Sequence, residues 1–293
     1  MKELIECKLC PRQCKVNRVN GEFGRCFAGI NPKIAKIQLH YHEEPCISGI
    51  NGSGTIFFSG CNLSCKFCQN YKISQEHKGN EMTINELAEK MVDLQEQGAN
   101  NINLVTGFAY VPQIIEAIKL ARKYGLKIPI VYNTSGYECI ETIKMLEGYV
   151  DIYLPDFKYY YDNLGENLSN VKDYFEVAKE AIKEMCRQID KNEYDEEGIM
   201  QKGIIIRHLV LPNHIQNSKQ VLKWIKKNVR EDVLISIMAQ YFPTYKASQT
   251  EDINRKLTLE EFEEIENFVY NLDLKNGFIQ YLEENEEQYV PDF

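Results

Sequence analysis

From Thr55 onward, short runs of β-branched and apolar residues alternate with longer stretches whose apolar positions recur at helical spacing. That alternation predicts a mostly parallel α/β sheet, each strand followed by a helix that covers it. The runs at 55–59, 101–105, 128–132, 150–154, 204–210 and 233–238 read as six strands. Helix ends are legible between them. Thr83-Ile-Asn-Glu86 is a capping box, opening a helix that should stop near Gly98, and Pro112 suits the first turn of one that stops near Gly125. Ser218 and Thr258, the latter with Glu261 three residues on, are expected to open two later helices.

Three segments fall outside this alternation. Residues 1–49 carry half of the cysteines and read as an N-terminal Cys-rich module or cap on a core of residues 50–282. Within that core a polar, acidic insertion is expected around 163–202, with one long helix over 171–189 and a solvated charged loop at 191–197. The tail, 283–293, is acidic and ends in Tyr-Val-Pro-Asp-Phe.

Composition narrows the partners. With 44% apolar residues, the 293-residue chain can build a full core, which sets intrinsic disorder aside. A net charge of -9 argues against a nucleic-acid partner, whose phosphates need clustered Lys and Arg; Lys223-Trp-Ile-Lys-Lys227 reads as a solvated helix face. No apolar stretch is long enough for a membrane span, and the first residues lack the apolar core of a secretion signal. We therefore expect a cytoplasmic protein without a membrane partner. In a reducing compartment clustered cysteines point to metal rather than to disulfides.

Cys61, Cys65 and Cys68 form a C-x3-C-x2-C triplet directly after the first predicted strand. Structural zinc takes four ligands, and a fully protein-bound [4Fe-4S] cluster takes four cysteines. Three thiolates leave one metal position open for chemistry; buried apolar thiols or part of a zinc knuckle are the plainer alternatives. The triplet resembles the signature of the radical S-adenosylmethionine (radical SAM) enzymes. Its approach, Gly49-Ile-Asn-Gly-Ser-Gly-Thr-Ile-Phe-Phe-Ser-Gly-Cys61, is similar to that of the pyruvate formate-lyase activating enzyme group. The resemblance implies a partial (β/α)6 TIM-type barrel, three cysteines holding a [4Fe-4S] cluster, and SAM chelating the fourth iron. It further implies oxidoreductase chemistry under anaerobic conditions: reduction of SAM by one electron yields methionine and a 5'-deoxyadenosyl radical that abstracts hydrogen from a substrate.

In a β/α barrel the loops at the carboxyl ends of the strands converge on the mouth, so polar residues there are site candidates. By the resemblance, Phe67 stands at an aromatic position whose backbone meets the adenine of SAM, and Asn70, after Gln69, also matches the group among the SAM-binding residues. After the second predicted strand stand Thr106 and Gly107; activating enzymes have a glycine-rich acidic motif here, and this chain lacks the acid. Asn133 and Ser135 follow the third strand and suit a ribose. Asp156 and Lys158 match an Asp-x-Lys element that contacts the methionine group of SAM. Arg207, within Ile206-Arg-His-Leu-Val-Leu-Pro212, is placed to fork onto a carboxylate, and Gln240 stands at a ribose-facing position. Each charged residue has a plainer reading as a surface charge or structural ion pair. His40 and His42 lie near the N-terminal module, His208 points away from Arg207, and Tyr110 and Tyr241 are candidate pocket aromatics.

A second set, Cys7, Cys10, Cys14 and Cys26, has the four thiols of a closed site, either an accessory [4Fe-4S] cluster or zinc, with Cys46 as a spare ligand. Cys139 and Cys186 read as inert thiols in helical segments. The expected partners are a one-electron donor such as flavodoxin or ferredoxin and, by the resemblance, a glycyl-radical enzyme or a peptide. Radical modification of a small molecule or peptide, and a non-catalytic iron-sulfur or zinc scaffold, are the competing readings.

Overall fold

The computed structural model describes residues 2–280, and the expected tail at 283–293 lies outside them. Ten strands are present among these residues: β1 (Lys33–His40), β2 (Ser53–Phe58), β3 (Asn80–Glu81), β4 (Ile102–Val105), β5 (Ile130–Thr134), β6 (Ile152–Pro155), β7 (Glu193–Tyr194), β8 (Met200–Leu209), β9 (Leu234–Met238) and β10 (Gly277–Gln280). They form one sheet in the order β10-β9-β8-β6-β5-β4-β2-β1-β3, with β7 paired to β8. From β2 to β10 neighbours are parallel, whereas β1 is antiparallel to both β2 and β3. All six predicted strands are there, and they wind in chain order into the partial barrel of a β/α fold. Strands β4, β5 and β6 are buried along their whole length, which is why they read as unbroken apolar runs.

Helices pack on the outer face. Ile84–Glu96 opens on the Thr83 capping box and Leu259–Asn271 on the Thr258 box, both reciprocal; Val111–Lys123 carries its Pro in the first turn. Gly98 and Gly125 follow with positive φ, as helix-stopping glycines do. Ser218 is a correction. The helix there runs Ile215–Asn228, so Ser218 sits inside its first turn, where its hydroxyl meets His208 Nε2 at 2.8 Å rather than capping the end. His208 is fully buried, on the face opposite Arg207, as expected.

Much of the stretch expected as an insertion is the crossover from β6 to β8. Helices Asp162–Ser169 and Tyr174–Gln188 fill it, the second burying Ala178, Ala181, Ile182 and Met185 against the sheet. The charged run that follows includes β7, an exposed antiparallel partner of β8. Likewise, part of the N-terminal module belongs to the sheet. Between β1 and β2 the chain turns into the barrel, where Cys46 and Ile47 pack against Val131, Ile152, Leu154, Met200 and Ile205. This plug closes one end of the barrel and carries the residues just before it, Glu43 and Glu44, into the interior. Among the described residues no helix is long and apolar enough to cross a membrane.

One buried acid sets an expected pH dependence. Glu138 lies beneath β5, accepting hydrogen bonds from the hydroxyls of Tyr132 and Thr134, and burial pushes its carboxyl up from 4.5 to about 7. Between those values the folded protein binds more protons than the unfolded chain, so this group's contribution to stability falls as pH rises and levels off above about 7. Glu138→Gln should flatten that part of the profile, read as denaturation midpoints across the same window.

Candidate active site

Strand β2 ends at Phe58, and the chain turns through Ser59 and Gly60 into the triplet loop. Gly60 holds φ +90, and a Cβ there would collide with the carbonyl oxygen of Cys26. Gly60→Ala is therefore expected to cost about 3 kcal/mol, strain and clash combined, measurable by chemical denaturation. Beyond the turn the loop is tied down by backbone bonds from Ser64 to Ser169 (3.0 Å) and from Lys66 to Leu168 (2.8 Å). The sulfurs are individually supported. Ser169 donates to Cys65 Sγ at 2.9 Å, the Leu63 N–H points at Cys61 Sγ at 3.4 Å, and Cys68 Sγ lies 3.2 Å from the Ser74 hydroxyl.

Beside this loop a cleft of about 240 Å³ opens at the carboxyl ends of the strands. Cys65, Phe67, Cys68, Asn70, Asn133, Asp156, Lys158, Arg207 and Gln240 line it, so most of the expected residues converge. Alternation along β5, β6, β8 and β9 aims the polar ones inward. Cys61, Thr106, Gly107 and Ser135 are not on its wall. Thr106 takes left-handed backbone and donates its N–H to Asn133, Gly107 faces Ile114 and Phe58, and Ser135 gives its carbonyl to Tyr174. Of the two tyrosines, Tyr241 lines the cleft, while Tyr110 lies buried under Arg18 away from it.

The charged residues form one chain of ion pairs. Lys158 Nζ meets Asp156 Oδ2 at 2.6 Å; Asp156 Oδ1 accepts from Arg207 Nε at 2.9 Å; Arg207 then reaches Glu43 Oε2 at 3.1 Å and Asn133 Oδ1 at 2.6 Å. Glu43 Oε1 accepts in addition from Asn103 and Asn133. Burial alone would raise the Asp156 carboxyl, yet Lys158 and Arg207 hold it below the usual carboxylate range. Burial dominates at Glu44, which is pushed up to about 7 despite Arg207. All three nitrogens of Arg207 are engaged with protein groups, so Lys158, at the cleft end of the chain, is the cation best placed for an incoming anion.

Sequence reasoning missed Glu43 and set His40 and His42 aside, although all three line the cleft. They arrive on the β1–β2 connection, which sequence order assigns to the N-terminal module. A signal was present in the charges. Two inward cations on β6 and β8 had only Asp156 to balance them, and the adjacent acids of Glu43-Glu44-Pro45 stood upstream without a role.

Similarity to known proteins agrees with this geometry. The model of the Radical SAM superfamily matches residues 55–196. A Methanocaldococcus jannaschii relative, Uncharacterized protein MJ0674, is 36% identical over 279 residues, covering 92% of this chain and 76% of that protein. The chain belongs to the radical SAM superfamily. A more distant relative is the pyruvate formate-lyase-activating enzyme of Clostridium pasteurianum, 22% identical over 232 residues, 76% of this chain and 90% of that one. Among solved structures, a point mutant of spore photoproduct lyase shares the fold at TM-score 0.54 and 10% identity, over 84% of this chain and 79% of the other. The chain spans about half the length of Streptococcus suis SuiB, which it also matches.

Membership of the radical SAM superfamily implies a [4Fe-4S] cluster and SAM, and the residues here fit them. Burial pushes up the thiols of Cys61, Cys65 and Cys68, the last to about 11, and a bound metal's charge would bring them down to thiolates. The triplet has hydrogen-bond donors aimed at sulfur and Lys158 nearby. An aromatic and amide-lined cleft adjoins it on the side where a cofactor with a ring, a ribose and an amino acid would lie.

Proposed function

We propose that this radical SAM enzyme cleaves SAM reductively at Cys61, Cys65 and Cys68 and directs the resulting radical to a backbone position of a protein or peptide, as an activating enzyme does. The observation that carries the first half is the convergence of the thiol triplet and the Lys158–Asp156–Arg207–Glu43 chain on one cleft. The three thiolates hold the cluster. Lys158 takes the carboxylate of SAM, while Arg207 braces Asp156 and Glu43 without touching SAM itself. Asn133 and Gln240 face the ribose, and Phe67 and Asn70 close the adenine side. When bound, the reduced cluster and SAM supply a 5'-deoxyadenosyl radical able to abstract hydrogen. The protein's share is to fix the orientation of SAM and to keep water and stray hydrogen donors out.

Lys158→Met should weaken SAM binding by about 2 kcal/mol, roughly thirtyfold in affinity, because a charge-assisted contact in a dry site is lost. Equilibrium binding of SAM to the reconstituted variant checks this. For the substrate, the similarity to the Clostridium pasteurianum activating enzyme over 90% of that protein favours a protein partner. The test is isotopic: cells are grown on deuterated glycine, their extract is split by size, and each fraction is offered to the enzyme with SAM and reductant. Deuterium in 5'-deoxyadenosine from the protein fraction is the expected result. Transfer from the small-molecule fraction alone would overturn the protein-substrate reading and favour a metabolite.

A further inference from the structure

The N-terminal segment builds a second sulfur-lined cavity. Cys7, Cys10, Cys14 and Cys26 all face it, and among the described residues the only other polar side chains on its wall are the guanidinium groups of Arg18 and Arg25. Four thiols face two cations and apolar groups on this wall, with the buried Glu138 carboxyl beyond Cys10, and such a set suits an anionic metal-thiolate centre.

The local backbone is shaped to that end. Cys7 and its neighbours form a two-stranded turn, with the Cys7 N–H on Val16 (3.0 Å) and the Lys15 N–H on Cys7 (2.9 Å). Gln13 and Lys15 take left-handed φ of 41 and 58, folding the chain tightly around Cys14. The Arg25 N–H points at Cys14 Sγ at 3.4 Å, and a Cβ on Gly24 would stand 2.8 Å from the same sulfur. Gly24 is thus required for the chain to pass this close to Cys14.

Arg18 provides an independent sign of negative charge. It is 2% exposed, and it contacts the carbonyls of Gly29 and Ala109, the Cys7 sulfur at 4.0 Å and the face of Tyr110. Among the described residues no carboxylate pairs with it. A buried guanidinium without a counter-ion is costly, and a centre of four thiolates around metal supplies the missing charge. A [4Fe-4S] cluster and a structural zinc ion both take four thiolates, so what decides between them here is what the site adjoins.

The two cysteine sets are also joined. The Cys26 carbonyl packs against Gly60, the residue before Cys61; Arg12 Nε donates to the Asn62 carbonyl at 2.9 Å; Arg25 bonds the Ser64 hydroxyl. On its other side the cavity reaches the surface at Cys14, which is exposed. We propose that Cys7, Cys10, Cys14 and Cys26 hold a second [4Fe-4S] cluster that passes single electrons inward from a flavodoxin- or ferredoxin-type donor. The donor loses one electron, the second cluster goes from 2+ to 1+ and back, and the SAM-binding cluster ends at 1+; no proton moves. The relay rests on the radical SAM reading, whereas the metal site stands apart from it.

The experiment separates the two. Cys61, Cys65 and Cys68 are replaced together by Ala, the protein is reconstituted anaerobically with iron and sulfide, and metal content and electron paramagnetic resonance are measured. This variant should keep about four irons per chain and, once reduced, a cluster signal indifferent to SAM. Should it hold no iron, or one zinc, the second cluster is overturned even if the wild type cleaves SAM. As a check on folding of that variant, Cys10→Ser with Cys26→Ser should lose about half of the wild-type iron while retaining the SAM-sensitive signal. Loss of neither half contradicts the assignment. For the relay, SAM is added to pre-reduced wild type freed of reductant. Decay of both signals supports electron passage; formation of 5'-deoxyadenosine with the SAM-indifferent signal intact overturns it.

Discussion

Replacing Cys65 with Ala is expected to reduce SAM cleavage to background and to remove the iron of the SAM-binding cluster. Cys65 is buried, it lines the cleft, and its sulfur takes a hydrogen bond from Ser169. Two remaining thiolates leave a cubane with two irons to be satisfied by other groups, and the geometry that chelates SAM is lost with the cluster. Iron analysis with assay of 5'-deoxyadenosine reads both effects. Cys186→Ala is the contrast: that thiol lies in the outer helix Tyr174–Gln188 and its loss should change neither quantity. The pairing of these variants distinguishes a cluster ligand from a generally fragile chain.

The second large effect concerns the buried ion chain. Arg207→Met is expected to destabilise the fold by about 3 kcal/mol, because Glu43 stays behind as a buried carboxylate without its cation while Asp156 keeps only Lys158. Denaturant titration measures the loss. It should shrink in acid, where protonation of the stranded Glu43, whose carboxyl burial already raises, relieves it. Arg207→Lys should recover part of the stability but not all, because an ammonium cannot fork between Asp156, Glu43 and Asn133 at once. Affinity for SAM is expected to fall in both variants through misplacement of Asp156 and Lys158.

The core of the fold was legible because its signals are local. Strands buried on both faces read as apolar runs, and the Thr83 and Thr258 capping boxes announce their helices in four residues each. Ser218 misled because a serine at a helix start has the same local appearance whether it caps the backbone or, as here, bonds a buried histidine from another strand. Strand β1 alternates Ile37 and Leu39 with Lys36, Gln38 and His40, yet it pairs antiparallel outside the β/α rhythm, so sequence order assigns it to the cysteine module. The stretch after β6 looked like an insertion since its acidic surface residues hide the apolar face of Tyr174–Gln188.

The candidate site divides in the same way. Residues one or two positions past a predicted strand, such as Asn133, Asp156 and Gln240, follow from alternation and the barrel's geometry. Thr106 and Gly107 obey the same rule but leave the cleft wall, because left-handed backbone at Thr106 turns the chain into a 3-10 turn. Glu43 was invisible for a different reason. Its position depends on the plug formed by Cys46 and Ile47, a long-range packing event with no periodic signature. The contact between Cys26 and Gly60 is long-range as well, and only the fold shows that the two cysteine sets adjoin.

The central claim is that the triplet loop and its cleft cleave SAM. The direct measurement is chromatography of anaerobically reconstituted wild-type protein given SAM and dithionite, with and without the reductant. Methionine and 5'-deoxyadenosine should appear together, and only in the reduced sample. Intact SAM after incubation with fully iron-loaded, reduced protein would contradict the account.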